Sequence, residues 1–303
     1  MTIAEALREA TQRLAAVSDT ARLDTELLMA HALGVARSEL LLRRMGEPVP
    51  EGFGAFIRRR ERHEPVAYII GRQEFYGLDL EVNASVLIPR HDSETLIEAA
   101  RGAFAARAPG RVLDLGTGSG ALLLAALSLW PQAEGLGMDR DAAALALARR
   151  NAVRAGINPL SRDYGMAGNS PGRSSDFGRA KFSLLDWHCP GWHTHLGRFN
   201  LVLANPPYVE TTAELSASVH EWEPAGALFA GPEGLDDYRV LIPQLPHLLA
   251  PNGRAVIEIG WTQALSVSAI ARAAGFTTDI VEDLGGRPRA AVLAIRGWQT
   301  ASE

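Results

Sequence analysis

The sequence is poor in the features that mark several protein classes. It has one cysteine, Cys189, among 303 residues. That excludes an internal disulfide framework and fits a reducing compartment. It has no long apolar run. The longest, Ala121 to Trp130, is too short to span a bilayer and reads as a buried helix. It has no excess of positive charge either. A formal net charge of −5 lacks the basic footprint of a protein that grips nucleic acid over a long surface. Met1 to Val17 alternates apolar and charged residues as an amphipathic helix does, and shows no cleavable signal. These absences favour a cytoplasmic chain with no membrane and no direct nucleic-acid contact. What is present is core material: 47% hydrophobic against 21% charged residues. That is enough for one large domain or two modest ones.

The chain changes character once. Ala4, Leu7, Ala10, Leu14 and Val17 recur at helical spacing. Ser18-Asp19-Thr20 offers cap residues for a second helix through Leu33, stopped by Gly34. Ser38 to Arg44 and Phe53 to His63 read as further helices. Residues 1–64 are therefore expected to form a small helical bundle. The basic cluster Arg58-Arg59-Arg60 reads most simply as a solvated helix face. From Pro65 the pattern alters, and Glu74 to Val82 predicts a hairpin within a linker of residues 65–90. Residues 91–303 then alternate strands and helices. The strands are Arg111–Leu115, Ala133–Asp139, Phe199–Ala204, Gly253–Ile259 and Ala290–Ile295. The helices include Ser93–Ala106, capped by Asp92 or Ser93, then Ala121–Leu129, Ala142–Ala155, Asp236–Leu249 and Thr262–Ala274. Alternation of this kind predicts an α/β fold with a doubly wound, mostly parallel sheet. Ser161 to Ala180 has no periodicity and reads as a mobile loop. Phe182–Leu185 is the expected strand after it.

Two motifs carry chemistry. Asp114-Leu115-Gly116-Thr117-Gly118-Ser119-Gly120 lies at the end of a predicted strand, where an open parallel sheet binds its ligands. Its glycines let the backbone turn sharply and approach a ligand without Cβ clashes. Asp139 ends the next strand, and its carboxylate can accept both ribose hydroxyls of a nucleoside. The spacing is not the G-x-G-x-x-G of a dinucleotide fingerprint, which favours S-adenosylmethionine over NAD. The second motif, Asn205-Pro206-Pro207-Tyr208, leaves the apolar strand Phe199–Ala204. An amide side chain, rigid carbonyls and an aromatic face there suit a planar NH2 group. The Asn205 side-chain oxygen and the Pro206 carbonyl can accept both of its N–H bonds and orient the nitrogen. The prolines lower the entropy lost in holding that geometry, and Tyr208 can pack on the planar group. Together the motifs point to methyl transfer from S-adenosylmethionine to an amide or amino nitrogen.

Beyond these motifs the chain resembles the HemK/PrmC family, the N5-glutamine methyltransferases of peptide chain release factors. Ala21-Arg22-Leu23-Asp24 with Glu26-Leu27-Leu28 resembles the family's helical N-terminal domain. Glu64 to Gly71 and Phe75-Tyr76-Gly77 resemble its linker hairpin, and Leu87-Ile88-Pro89-Arg90 the loop that follows. Glu223-Pro224, Ala227-Leu228 and Gly234-Leu235 follow the second signature in the family's order. His91 and Ser93 depart from it, standing where Pro and Thr are usual. The resemblance implies the fold of a class I S-adenosylmethionine-dependent methyltransferase. It implies cofactor contacts from Gly116, Thr117, Gly118, Ser119, Gly120, Asp139 and Trp187, with Asp186-Trp187 beside the adenine, and glutamine binding by Asn205, Pro206, Pro207 and Tyr208. The implied acceptor is the glutamine of a Gly-Gly-Gln tip in a release factor.

Two other acceptors stay open. One is a glutamine of a ribosomal protein. The other is the exocyclic amine of adenine in DNA, which calls for a recognition region and a basic face that this chain does not show. The helical domain fits docking of a protein substrate, and the size suggests a monomer. His188, Cys189, His193 and His195 lie close together but not at the spacing of a zinc finger, so no metal is expected. Gly285 to Arg289 reads as a surface turn.

Overall fold

The computed structural model describes residues 1–157 and 179–297. By internal contacts the chain forms two compact units. The first comprises Met1–Arg72, Val82–Ala84 and Glu214–Glu223, and the second Gln73–Glu81, Ser85–Ala213 and Pro224–Glu303.

The first unit is helical. Helix Ile3–Leu14 opens on a capping box: the Thr2 N–H donates to Glu5 Oε2 (2.8 Å) and the Glu5 N–H to Thr2 Oγ1 (3.4 Å). It buries Ile3, Ala6, Leu7, Ala10 and Leu14 on one face, the helical spacing seen in the sequence. Helix Ala21–Leu33 ends on Gly34 at φ 67°, the left-handed cap that glycine supplies most cheaply. Helix Phe53–Arg60 follows, and Val66–Ile70 forms a further short helix ending on Gly71. The basic cluster is not a wholly solvated face. Arg60 is buried, its Nε donates to Asp24 Oδ2 at 2.7 Å, and Arg59 pairs with Glu64; only Arg58 is exposed. A buried guanidinium needs such a partner, and sequence spacing could not show that Asp24 supplies it. Segment 214–223 returns to this unit. Ser218 accepts from Arg60 (3.2 Å), and the Trp222 indole N–H donates to the Arg62 carbonyl (3.1 Å).

The second unit is built on a sheet. Strands β1 (Arg72–Phe75) and β2 (Leu78–Glu81) form the expected hairpin. Its two-residue turn, Tyr76-Gly77, has positive φ at both positions, 50° and 78°, which matches the twist of the flanking strands. The main sheet contains β3 (Arg111–Leu115), β4 (Glu134–Asp139), β5 (Ala180–Leu184), β6 (Phe199–Ala204), β7 (Leu249–Glu258), β8 (Phe276–Glu282) and β9 (Pro288–Ile295). Among the described residues the strand order is β5-β4-β3-β6-β7-β9-β8. Pairing is parallel from β5 to β7 and antiparallel on both sides of β9. The sheet is thus doubly wound and mostly parallel, as the alternation of strands and helices predicted. One core lies under Ala121–Leu129 and Glu94–Ala103, and the other includes Tyr238, Leu241, Leu245 and Val267.

Four local expectations change. Residues 161–178 of the presumed loop lie outside the described residues, while Ala180 already belongs to β5, two residues earlier than the strand expected at Phe182. The helix expected over Asp236–Leu249 is broken into Asp236–Leu241, a 3-10 turn and Leu245–Leu248, with Leu249 beginning β7. Pro243 and Pro246 lack the N–H that a continuous helix needs. Neither Asp92 nor Ser93 caps the helix Glu94–Ala103 by a side-chain bond; the Asp92 carboxylate instead accepts from Arg289 at 3.1 Å. Arg289 itself is not in a surface turn. It lies on β9, 8% exposed, because three carboxylates surround it: Asp92, Asp283 at 3.4 Å and Glu258 at 3.9 Å.

Candidate active site

The order of strands reverses at β3. The chain continues to β4 and β5 on one side and returns to β6 and β7 on the other. Ligands bind outside the carboxyl ends of strands at such a switch. Register fixes what meets there. Leu115 and Ala204 are the last paired positions of β3 and β6, so Gly116 and Asn205 leave adjacent strands side by side.

The glycine loop is braced from several directions. Gly116, Gly118 and Gly120 all have left-handed backbones (φ 71°, 52° and 86°). The Thr117 N–H donates to the Met138 carbonyl at 2.7 Å and its hydroxyl to Asp114 Oδ2 at 2.6 Å. Burial pushes the Asp114 carboxyl up to about 7, opposed by its hydrogen bond from Thr117. Asp139 Oδ2 accepts the Gly118 N–H (2.9 Å) and Oδ1 the Asp141 N–H (3.0 Å). Burial raises its pKa, although backbone donors favour the charged form. An ionised carboxylate has about four acceptor sites, and three backbone donors (Gly118, Asp141 and Arg140) leave room for it to accept from a hydroxyl. Gly120 serves packing: a Cβ there would meet Leu124 at 3.2 Å and Ala148 at 3.4 Å.

The glycine loop faces a cavity of about 340 Å³, within the ~300–1,000 Å³ range of small-molecule sites. Its wall includes Gly116, Thr117, Gly118, Ser119, Asp139 and Trp187, and also Asn205 and Pro207. Both motifs therefore open on one space. Trp187 is half-buried, with its indole N–H on Asp237 Oδ1 at 2.9 Å. A Cβ on Gly116 would lie 3.2 Å from the indole edge, so the loop and the ring form a cradle that a side chain would fill. Ser85 to Leu87 and Pro89 add an apolar flank.

Gly120, Pro206 and Tyr208 do not line this cavity. Tyr208 is held behind the loop. Its hydroxyl bonds to Glu258 Oε1 at 3.1 Å, and its carbonyl accepts from Gln263 Nε2 at 3.0 Å. Burial first, then the Glu258 charge, raises its pKa well above the usual phenol range. The Glu258 carboxyl is also raised, chiefly by burial.

Asn151, Glu258 and Gln263 escaped the reading of the sequence, and Arg289 was read only as part of a surface turn. Asn151 is buried in an Ala-rich helix; its amide donates to the Ser119 and Glu81 carbonyls (2.9 and 3.0 Å), tying the glycine loop to the hairpin. A polar residue on the apolar face of an amphipathic helix was the available signal. Gln263 carried none. Of the clustered histidines and cysteine, His188 bonds Asp186, His193 stacks on His247 at 5.1 Å, and Cys189 is exposed.

Comparison with known proteins bears on both units. The PrmC N-terminal domain family matches residues 5–71, and the ribosomal protein L11 methyltransferase (PrmA) family residues 97–169. A release factor glutamine methyltransferase of Caulobacter vibrioides is 36% identical over 307 residues, covering 98% of this chain and 97% of that protein. Proteins of the same name from Rhodospirillum rubrum and Xylella fastidiosa are 38% and 37% identical, covering 88% and 94% of this chain and 77% and 97% of theirs.

Proposed function

Since the chain belongs to the release factor glutamine methyltransferase family, we propose that the cavity shared by its two motifs transfers a methyl group from S-adenosylmethionine to N5 of the glutamine in a release factor's Gly-Gly-Gln tip. The register of Leu115 with Ala204 carries this reading, because it sets the donor loop and the acceptor loop side by side at the switch point. The fit to the donor rests on the chain's own chemistry. A Cβ-free cradle lies against Trp187, and Asp139 has room to accept from a ribose hydroxyl. Bound there, the donor supplies an electrophilic methyl group.

The protein's part is positioning. An amide nitrogen is a poor nucleophile, because its lone pair is delocalised into the carbonyl. The Asn205 side-chain oxygen, on the cavity wall, accepts one N–H bond of the incoming carboxamide and aims the nitrogen at the methyl group; the Pro206 carbonyl, next in the loop but outside the wall of the donor cavity, is the acceptor proposed for the other. Both acceptors also favour the positive charge that develops on nitrogen. The prolines fix φ, so little entropy is lost in keeping these acceptors aligned. No residue is nominated as a general base: the S–CH3 bond breaks as the N–CH3 bond forms, S-adenosylhomocysteine is the leaving group, and the cationic amide then gives up its proton to water. Residues 1–64 would dock the protein substrate. The match to the ribosomal protein L11 methyltransferase family ends before Asn205, so it bears on the donor half alone.

The test is methyl transfer from labelled S-adenosylmethionine to purified release factor and to its Gly-Gly-Gln form with Gln→Ala. Label is expected on the first alone. Equal label on both would discard glutamine as the acceptor.

A further inference from the structure

We propose that Gln263 is a positioning residue for the acceptor loop: its side-chain amide pins the peptide carbonyl of Tyr208 and thereby sets where Asn205 and Pro206 present their oxygens. This rests on the reading that the Asn205–Tyr208 loop receives the substrate carboxamide.

Every polar atom of the Gln263 side chain is engaged. Nε2 donates to the Tyr208 carbonyl (3.0 Å) and the Gly234 carbonyl (3.2 Å), and Oε1 accepts the Gly260 N–H (3.0 Å). The residue is buried, at 8% exposure, so water cannot replace these bonds. One side chain thus joins three separate backbone segments: the acceptor loop, the turn at Gly234 and the exit of β7. The contact is tight on both flanks. A Cβ on Gly234 (φ 65°) would fall 2.3 Å from the Tyr208 oxygen, and one on Gly260 would fall 2.7 Å from Gln263 Oε1.

The loop's freedom explains why this matters. Its first end is fixed by the pairing of Ala204 with Leu115 and Ile257. Pro206 and Pro207 have φ locked by their rings. The torsions that remain between Asn205 and Tyr208 are few, and the last of them is set by where the Tyr208 peptide points. Tyr208 and the peptide after it are held at three points: its hydroxyl on Glu258, its carbonyl by Gln263, and the Val209 N–H on the Leu228 carbonyl at 2.8 Å. The hydroxyl anchor acts at the far end of a side chain, whereas the carbonyl anchor acts on the backbone itself. Releasing the carbonyl leaves this peptide held on one side only, by the Val209 N–H on the Leu228 carbonyl (2.8 Å), so it can tilt about that bond and shift the loop that precedes it. Gln263 does not line the cavity, so it acts through the loop and not on the substrate.

The experiment compares Gln263→Met, of similar shape but without amide bonds, and Gln263→Glu, which sets an oxygen against the Tyr208 carbonyl. Each is assayed with full-length protein and release factor, and rates are normalised to donor-binding sites counted by calorimetry. Displacement of about 1 Å costs up to ~10²-fold in rate, so kcat is expected to fall ~10- to 100-fold. KM for release factor and affinity for S-adenosylmethionine stay near wild type, because the glycine loop is untouched. Unchanged kcat per donor site overturns the proposal. So does an equal loss of donor affinity, or a variant that no longer binds donor, since the residue is then a general brace of the fold. A wild-type protein that fails to label release factor at all would take down the functional reading and this one with it. Labelling by wild type and variants at equal rates would sink only the role of Gln263.

Discussion

A β-carbon built on Gly116 lies 3.2 Å from the edge of the Trp187 indole. The ring cannot swing away cheaply, because its N–H is held by Asp237 at 2.9 Å. Gly116 also has φ 71°, which costs an L-residue roughly 1–2 kcal/mol. Gly116→Ala is therefore expected to lower thermal stability modestly and donor affinity much more, about tenfold or beyond, which corresponds to ~1.4 kcal/mol. Calorimetric titration with S-adenosylmethionine measures this. Unaltered affinity would remove the glycine loop from the donor site.

Asn205 lines the same cavity from the acceptor side. Asn205→Ala deletes an acceptor for the substrate amide and leaves Trp187 and Asp139 in place. Turnover should drop by about 10²-fold or more, in the range of a lost electrostatic contact in the transition state, with donor binding nearly unchanged. Single-turnover kinetics beside equilibrium donor binding separates the two quantities. Parallel losses in both would argue against an orienting role.

Much of this was legible in the sequence, for a physical reason. β3 and β6 are largely buried and read as mostly apolar runs, interrupted by Asp114 and Asn200, and the chemistry sits at their carboxyl ends, where strand and motif are contiguous in the chain. The backing of the site was not legible. Glu258, Gln263 and Arg289 reach Tyr208 or its partners from β7, its exit and β9, and no local spacing links residues some fifty to eighty positions apart. Arg289 read as part of a polar turn because two of its three carboxylate neighbours, Asp92 and Glu258, come from remote segments. Arg60 misled in the same way: three consecutive arginines look solvated until tertiary packing buries one of them.

Asp114 contributes a pH dependence of its own to stability. Its carboxyl lies at about 7 in the folded chain against an ordinary 3.8. The folded state therefore holds a proton that the unfolded chain has released across that interval. The stability from this group is complete below the ordinary value and is lost as pH rises through about 7. Asp114→Asn removes the term and keeps an acceptor for Thr117. In donor-free protein, the stability of this variant relative to wild type should rise between about pH 5 and about pH 8, by an amount on the order of a few kcal/mol. Chemical denaturation at several pH values measures the gap. A gap that stays flat with pH would mean that the carboxyl titrates in its ordinary range.

The helical unit carries its own test in the Arg60–Asp24 pair. Asp24 is more than an ion-pair partner: Ser18 donates to its Oδ2 at 2.7 Å, Thr20 to its Oδ1 at 2.9 Å, and Arg60 to Oδ2 at 2.7 Å. Both side chains are under a tenth exposed. Desolvating two charges offsets most of their attraction, so the intact pair adds little over an apolar pair of the same size. Removing one partner is different, since it strands the other charge away from water. Asp24→Ala should destabilise the protein by about 3–5 kcal/mol, whereas Asp24→Leu with Arg60→Met should recover most of that loss. Ser18 and Thr20 lose their acceptor in both variants but lie at the exposed start of the helix, where water replaces it. Denaturation of the two variants side by side decides the matter. If the double variant is as unstable as the single one, the pair stabilises the helical unit through its hydrogen bonds, and relief of a stranded charge is not the cause.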